Sequence, residues 1–362
     1  MSMTSNSDKH GEFRVSFAEI LVGFSSDGLV LLPPSDLRSR KQINIGAKQL
    51  ADYCHIYMVL QRPGLSFVPD QVYDSGDSVY GKLKLTAGRR INLTDFEIPH
   101  GGDSLKWTVS EFPHRTIVGE SAFFSHNEIL PAYAVPSLGR VIHKSAHEAE
   151  VLYVGQAFGD GSRKALDRLA DHSTLQSVLA DAIHEAPDQE ILLLLLEYAP
   201  PKKHMLIPPE STYPSWYEVR DEEVQTEIDR RMEQLKHSRI PAKNCTSIVE
   251  AALINYFKPR YNEKFIHQPP QASHQHMVEC YNEDFSALMV ELNTEDAQIS
   301  LYSQRIIAGF HHLAKFDLHN TETRKAFFQL AFFWDEVGLT IESGPIVPPV
   351  SLKNGRFRIL GL

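Results

Sequence analysis

Apolar positions follow three rhythms along this chain. Over the first third they form short runs: Val15 to Ile20, Tyr53 to Leu60, Val79 to Leu85, Leu105 to Val109 and Thr116 to Val118. Turn residues separate them at Pro33-Pro34, Arg62-Pro63-Gly64, Ser75-Gly76-Asp77 and Gly101-Gly102. Such punctuation predicts a β-rich domain over residues 1–130, a sandwich or small barrel. No catalytic constellation stands out in it, and His100, His114 and His126 read as surface or core residues.

From 131 to 268 the rhythm changes. Arg140 to His143 and Val151 to Gly155 flank a polar connection, which predicts a hairpin. After Gly159-Asp160-Gly161, apolar residues recur at three- and four-residue intervals: Ala165, Leu166 and Leu169, then Leu175, Val178 and Leu179. That spacing predicts helices. Ile191 to Leu196 is apolar throughout and predicts a strand buried on both faces. A proline-interrupted stretch follows, then a charged helix over about 218 to 238. A second, apolar helix runs from Thr246 to Phe257 and is closed by Pro259.

Gln268 to Gln275 reads as a linker into a small α/β domain over 276–362. Ala287 to Leu292 and Ile299 to Tyr302 predict strands, and Thr321 to Val337 an amphipathic helix. Arg356 to Leu360 suits an edge strand.

Composition adds limits. At 362 residues, 42% hydrophobic and 23% charged, the chain has ordinary globular usage with room for two or three domains. A net charge of -10 gives no general support to a nucleic-acid partner. Locally the balance reverses, because Lys243, Lys258, Arg260 and Lys264 surround the second helix. Three widely spaced cysteines, Cys54, Cys245 and Cys280, make neither a disulfide framework nor a CxxC site. With a polar N-terminus and no apolar run longer than six residues, the expectation is a cytoplasmic protein with no membrane span.

The chemistry concentrates in the middle segment. Arg168 and His172 are four residues apart and would share one face of a helix, converging on an oxyanion. Tyr153 lies on the strand feeding that helix, and Gly155 allows close backbone approach. Glu250, read as opening the apolar helix, offers a hard carboxylate to Mg²⁺. A phenol, a guanidinium, an imidazole and one carboxylate suit phosphodiester cleavage with a single divalent ion, Mg²⁺ or Mn²⁺. Each residue also has a plain structural reading: core tyrosine, solvated arginine, helix-capping histidine, first-turn glutamate. The Gly155 to Gly161 stretch satisfies neither dinucleotide nor phosphate-loop fingerprint.

In this order, the residues resemble the GIY-YIG endonucleases. Tyr153-Val154-Gly155 is similar to that family's second signature tripeptide, and an arginine-bearing helix followed by His172 comes next. Glu250 then resembles the metal-binding glutamate, and Asn262 the asparagine that ends and supports the nuclease core. The resemblance implies an α+β fold. Its core is a three-stranded antiparallel sheet flanked by helices, set between the β-rich N-terminal domain and the small C-terminal α/β domain. It also implies hydrolysis of nucleic acid, DNA sooner than RNA, with catalytic Tyr153, Arg168, His172 and Glu250, and with Gly155, Arg163 and Asn262 in support. Arg163 is nearer the family's usual spacing, whereas Arg168 is preferred for its shared face with His172. The first tripeptide aligns with Gly139-Arg140-Val141 and lacks its tyrosine, unless Tyr133 reaches in. That gap leaves open a catalytically weakened binding or regulatory module.

Overall fold

The strand that the rest of the chain assembles around comes from the first third, not the middle. A computed structural model describes residues 17–37, 45–100, 105–120, 128–156, 165–170, 172–207, 218, 220–262, 280 and 282–318. In chain order the first strands are β1 (Glu19–Leu32), β2 (Ile56–Phe67), β3 (Tyr73–Asp74), β4 (Ser78–Ala87) and β5 (Arg90–Pro99). Next come β6 (Lys106–Val109), β7 (Thr116–Glu120), β8 (Glu128–Pro131), β9 (Arg140–Val141) and β10 (Glu148–Gln156). The last are β11 (Gln189–Tyr198), β12 (Lys202–Leu206), β13 (Ala287–Asn293), β14 (Ser300–Tyr302) and β15 (His311–Asp317). Helices are α1 (Ile45–Ala51), α2 (Val135–Leu138), α3 (Ala165–Ala170), α4 (Ser173–Glu185), α5 (Asp221–His237) and α6 (Ala242–Phe257).

All strands except β6, β7 and β8 join one mixed 12-stranded sheet, whose main path is β15-β13-β1-β11-β2-β4-β5-β9. The small three-stranded core flanked by helices is therefore not what forms. The sheet is much larger, and it takes strands from all three stretches of the chain. The physical reason lies in β1 and β2. β1 pairs with β11 antiparallel and with β13 parallel. β2 pairs with β10 and β11 through its first part, then with β4 from Gly64 onward.

Arg62-Pro63-Gly64, read above as a strand break, thus lies inside β2. A Cβ at residue 64 would run into the Asp188 carbonyl oxygen, so glycine lets the neighbouring backbone close in there. The expected hairpin of 140–143 with 151–155 does not form either. β9 pairs with β5, while β10 pairs with β2 and, over Glu148–Glu150, with β14. Between β9 and β10 the His147 ring is held by the carbonyls of Val141 and Gln298, which directs the chain to another part of the sheet.

Two apolar layers sandwich the centre of the sheet. On one face Ile56, Met58, Leu60, Leu192, Leu194 and Leu196 pack against α6 and β13. On the other Tyr57, Val59, Leu193 and Leu195 pack against α1, α3 and α4. Odd and even residues of β2 and β11 are both buried because each face has its own cover. The Arg62 guanidinium, 1% exposed, pairs with Glu190 on β11 and donates to the carbonyls of Tyr133 and Ala146. A third core joins β4 and β5 to Ile117, Leu130 and Val135.

Thr321 to Val337, Arg356 to Leu360 and the linker 268–275 lie outside the described residues. Unanticipated from sequence is β15, which closes one edge of the sheet on β13. Its His312 is 4% exposed, donates to the Gly309 carbonyl through Nε2 at 2.9 Å and faces the Tyr256 hydroxyl through Nδ1 at 3.3 Å.

Burial pushes the His312 imidazole down to about 4, from an ordinary value near 6.5. The neutral ring therefore contributes stability that is complete above pH 6.5 and is lost as pH falls toward 4. The contribution is about 3 kcal/mol in all. Urea unfolding at several pH values should show this loss, and His312→Gln should flatten the slope across that window.

Candidate functional site

Tyr153 and Gly155 of β10 face a second tyrosine on β2. In register, Gly155 lies opposite Tyr57, and Tyr57 lies opposite Leu195 on the other side. An added Cβ at residue 155 would come within 2.7 Å of the Tyr153 ring and 2.8 Å of the Tyr57 ring. Glycine is what lets both rings sit over that point of the sheet. Their centroids are 5.7 Å apart, tilted by 37°. A register shift between Val151 and Tyr153 brings Tyr153 onto the same face as Tyr57.

His172 completes the cluster. It is the N-cap of α4, its side chain accepting from the Leu175 N–H through Nδ1 at 3.3 Å. The same Nδ1 is 3.3 Å from the Tyr57 hydroxyl, and the two rings meet edge-on at 5.9 Å. A nitrogen that accepts from a backbone N–H carries no proton of its own, so Tyr57 is the donor in this bond. The hydroxyl that hydrogen-bonds Tyr57 on its other side is Tyr153. A hydrogen bond that pulls the Tyr153 phenol down is one that Tyr153 accepts, so the single Tyr57 proton is shared between His172 and Tyr153.

The expected pairing of Arg168 with His172 on one helical face is corrected. α3 ends at Ala170, and His172 has extended backbone between α3 and α4. The histidine's short polar cap ends one helix register and starts another, so the four-residue spacing no longer defines a face. The backbone places Arg168 in α3; its side chain lies outside the described residues, as does Arg163 altogether.

Glu250 is not a first-turn residue, because α6 begins eight residues earlier at Ala242. The apolar side of α6 packs on the sheet face opposite α3 and α4. Even so, the Glu250 carboxylate is near enough to act on Tyr153. Burial pushes the Tyr153 phenol above the ordinary tyrosine range; the hydrogen bond with Tyr57 opposes this, and the negative charge of Glu250 adds to it. The phenol is therefore neutral at physiological pH.

Asn262 secures the strand that carries Tyr153. α6 ends at Lys258 in a left-handed conformation (φ 50), and a short 3-10 turn over 260–262 brings Asn262 back to β10. Its Oδ1 accepts from the Val154 N–H at 2.9 Å and its Nδ2 donates to the Val154 carbonyl at 2.8 Å. One side-chain amide thus substitutes for a neighbouring strand where β14 no longer pairs with β10. Arg260, one of the basic residues near Glu250, is engaged by Glu185 at 2.7 Å and stacks over Tyr261.

Among the described residues no group of three or more His, Cys, Asp and Glu side chains could cage a metal. A single hard carboxylate suits an ion that takes its remaining ligands from phosphate and water, although the helix that carries Glu250 packs on the sheet face opposite α3 and α4. Glu250 fits that role.

Sequence reasoning missed Tyr57. It sits in His55-Ile56-Tyr57, within a stretch already read as a strand. Tyr57 lies far upstream of Tyr153, and only the pairing of β10 on β2 brings the two together, while the chain between these strands builds others. Tyr133 does not take the place. It packs against the opposite core and gives its carbonyl to Arg62. The chain matches no family model, no curated protein and no solved structure.

Asn262→Leu would leave both Val154 backbone groups without their partner at a buried position. The expected loss is about 2–4 kcal/mol in unfolding free energy, measured by denaturant titration. Asn262→Asp should recover part of it, since the acceptor for the Val154 N–H remains.

Proposed function

We propose that this chain is a metal-dependent endonuclease related to the GIY-YIG enzymes, hydrolysing phosphodiester bonds of DNA in preference to RNA with one Mg²⁺ or Mn²⁺. The observation that carries the reading is Tyr57. It supplies the tyrosine absent from residues 139–141 and joins Tyr153 and His172 in one hydrogen-bonded series. The alternative, a weakened binding or regulatory module, was suggested by that missing tyrosine and by the net charge of -10; Tyr57 beside Tyr153 favours the enzyme reading on the first count, and the charge still favours the alternative.

The side chains divide the work as follows. As water attacks phosphorus and the bond from phosphorus to the leaving oxygen breaks, the water's proton would pass through the Tyr57 hydroxyl to His172 Nδ1, displacing the Leu175 N–H. Tyr153 would orient the attacking water; His172 then gives its proton to solvent, and the leaving oxygen takes one from water. Glu250 would hold the divalent ion, which when bound neutralises charge on the phosphate and the leaving oxygen. Arg168, on the helix leading into His172, is assigned to the non-bridging phosphate oxygens, with Arg163 as the neighbouring candidate.

With a net charge of -10 the chain has little general grip on a polyanion, so binding must be local or directed to a preferred target. Three free cysteines suit a reducing cytoplasm. Among the described residues no helix is long and apolar enough to cross a membrane.

The test is cleavage of plasmid DNA and of RNA with Mg²⁺ or Mn²⁺ and with chelator. Wild-type protein should cut only with metal. Glu250→Ala and Tyr57→Phe should each slow cutting by about 10²–10⁴-fold while leaving the unfolding transition in place. No cutting of either nucleic acid under any condition would sink the proposal. So would equal cutting by Glu250→Ala.

A further inference from the structure

The hairpin of β4 and β5 leaves part of its outer edge open. Its two-residue turn, Gly88-Arg89, makes Ala87 and Arg90 a hydrogen-bonded pair, and the register continues through Leu85–Asn92 and Leu83–Thr94. Arg90, Asn92 and Thr94 therefore turn their backbone groups toward β4. Ile91, Leu93 and Asp95 turn theirs outward. β9 takes the outer side only at Phe96 and Glu97, and among the described residues no strand pairs beyond it. Ile91 is 59% exposed and Leu93 57%, on a strand otherwise suited to burial.

We propose that this edge joins the same edge of a second copy, extending the sheet across a two-fold axis through Asn92. The choice of occupant rests on self-complementarity. Outward-turned residues can hydrogen-bond only to outward-turned residues, so the axis of an antiparallel pair passes through Ile91, Asn92 or Leu93. Through Ile91, Leu93 would face Arg89 of the second copy. Through Leu93, Ile91 would face Asp95. Through Asn92, Ile91 of each copy faces Leu93 of the other, and Arg89 of each faces Asp95 of the other.

That register alone pairs apolar with apolar and cation with anion at every outward position, twice over. Asp95 is already held by Lys82 at 2.7 Å, and Arg89 adds a second cation to it. The pairing is bounded by the hairpin turn, which supplies Arg89, and by β9, so it spans the seven residues from Arg89 to Asp95 and the association is weak and reversible. It does not depend on the nuclease reading.

The experiment uses the full chain and two variants. Sedimentation velocity over the micromolar range should show wild-type protein moving from monomer to dimer with concentration. Leu93→Lys, which changes an exposed side chain, should raise the dissociation constant by about tenfold or more. Asn92→Cys tests the register. Across the axis residue 92 meets itself in a non-hydrogen-bonded pair, where Cα atoms are about 4.5 Å apart, within disulfide range. Mild oxidation should give a covalent dimer from Asn92→Cys and none from wild type, in which Cys54 and Cys280 are buried and Cys245 is half-buried on α6, away from this edge. A wild type that stays monomeric at every concentration overturns the proposal. So does an Asn92→Cys protein that cross-links no faster than one with cysteine at Ile307, an exposed site away from this edge.

Discussion

The antiparallel register of β10 on β2 is the constraint on which the site depends. It sets Gly155 opposite Tyr57, and the missing side chain at 155 is the space into which both tyrosine rings fit. A slip of one residue would turn Tyr57 toward the opposite core and put Ile56 or Met58 beneath the helices of α3 and α4. The buried residues of β2 oppose such a slip. Ile56, Met58 and Leu60 serve one apolar layer, Tyr57 and Val59 the other, and neither set could exchange faces without opening both cores.

Polar contacts at the margins complete what apolar burial begins. Arg62 and Glu190 join β2 to β11 where the strand leaves the double-covered region, and the guanidinium's remaining donors are used by the carbonyls of Tyr133 and Ala146. Asn262 does the equivalent for β10. Arg231, wholly buried, ties α5 to Asp284 by 2.7 Å and to the Asp284 carbonyl by 2.9 Å. These groups are costly to bury and are tolerated because their partners are fixed. Their effect is geometric: each one pins a turn or helix end to a particular strand.

Much of the secondary structure was legible residue by residue. The all-apolar run of β11, the apolar helix ending before Pro259, and the strands at 287–292 and 299–302 follow from local periodicity and turn chemistry. So did the capping reading of His172. Failures arose where pairing partners are distant. Arg62-Pro63-Gly64 carries the composition of a turn, yet it lies in a strand because Asp188 approaches Gly64 from 124 residues further along the chain. The 140–143 segment has a strand's composition but finds its partner in β5.

Sequence by itself determined β11 and the helices α4, α5 and α6 in the centre of the chain, though not β12, which lies in the proline-interrupted stretch, and it set the order in which Tyr153, Gly155, His172, Glu250 and Asn262 occur. Those properties depend on residues a few positions apart. Only the tertiary structure decided that the sheet has twelve strands, that Arg168 and His172 do not share a helix, and that Tyr57 stands beside Tyr153. These depend on strand pairing between distant parts of the chain. Register and face are settled by what covers each side of the sheet, and no local pattern around Tyr57 or Gly155 records that cover.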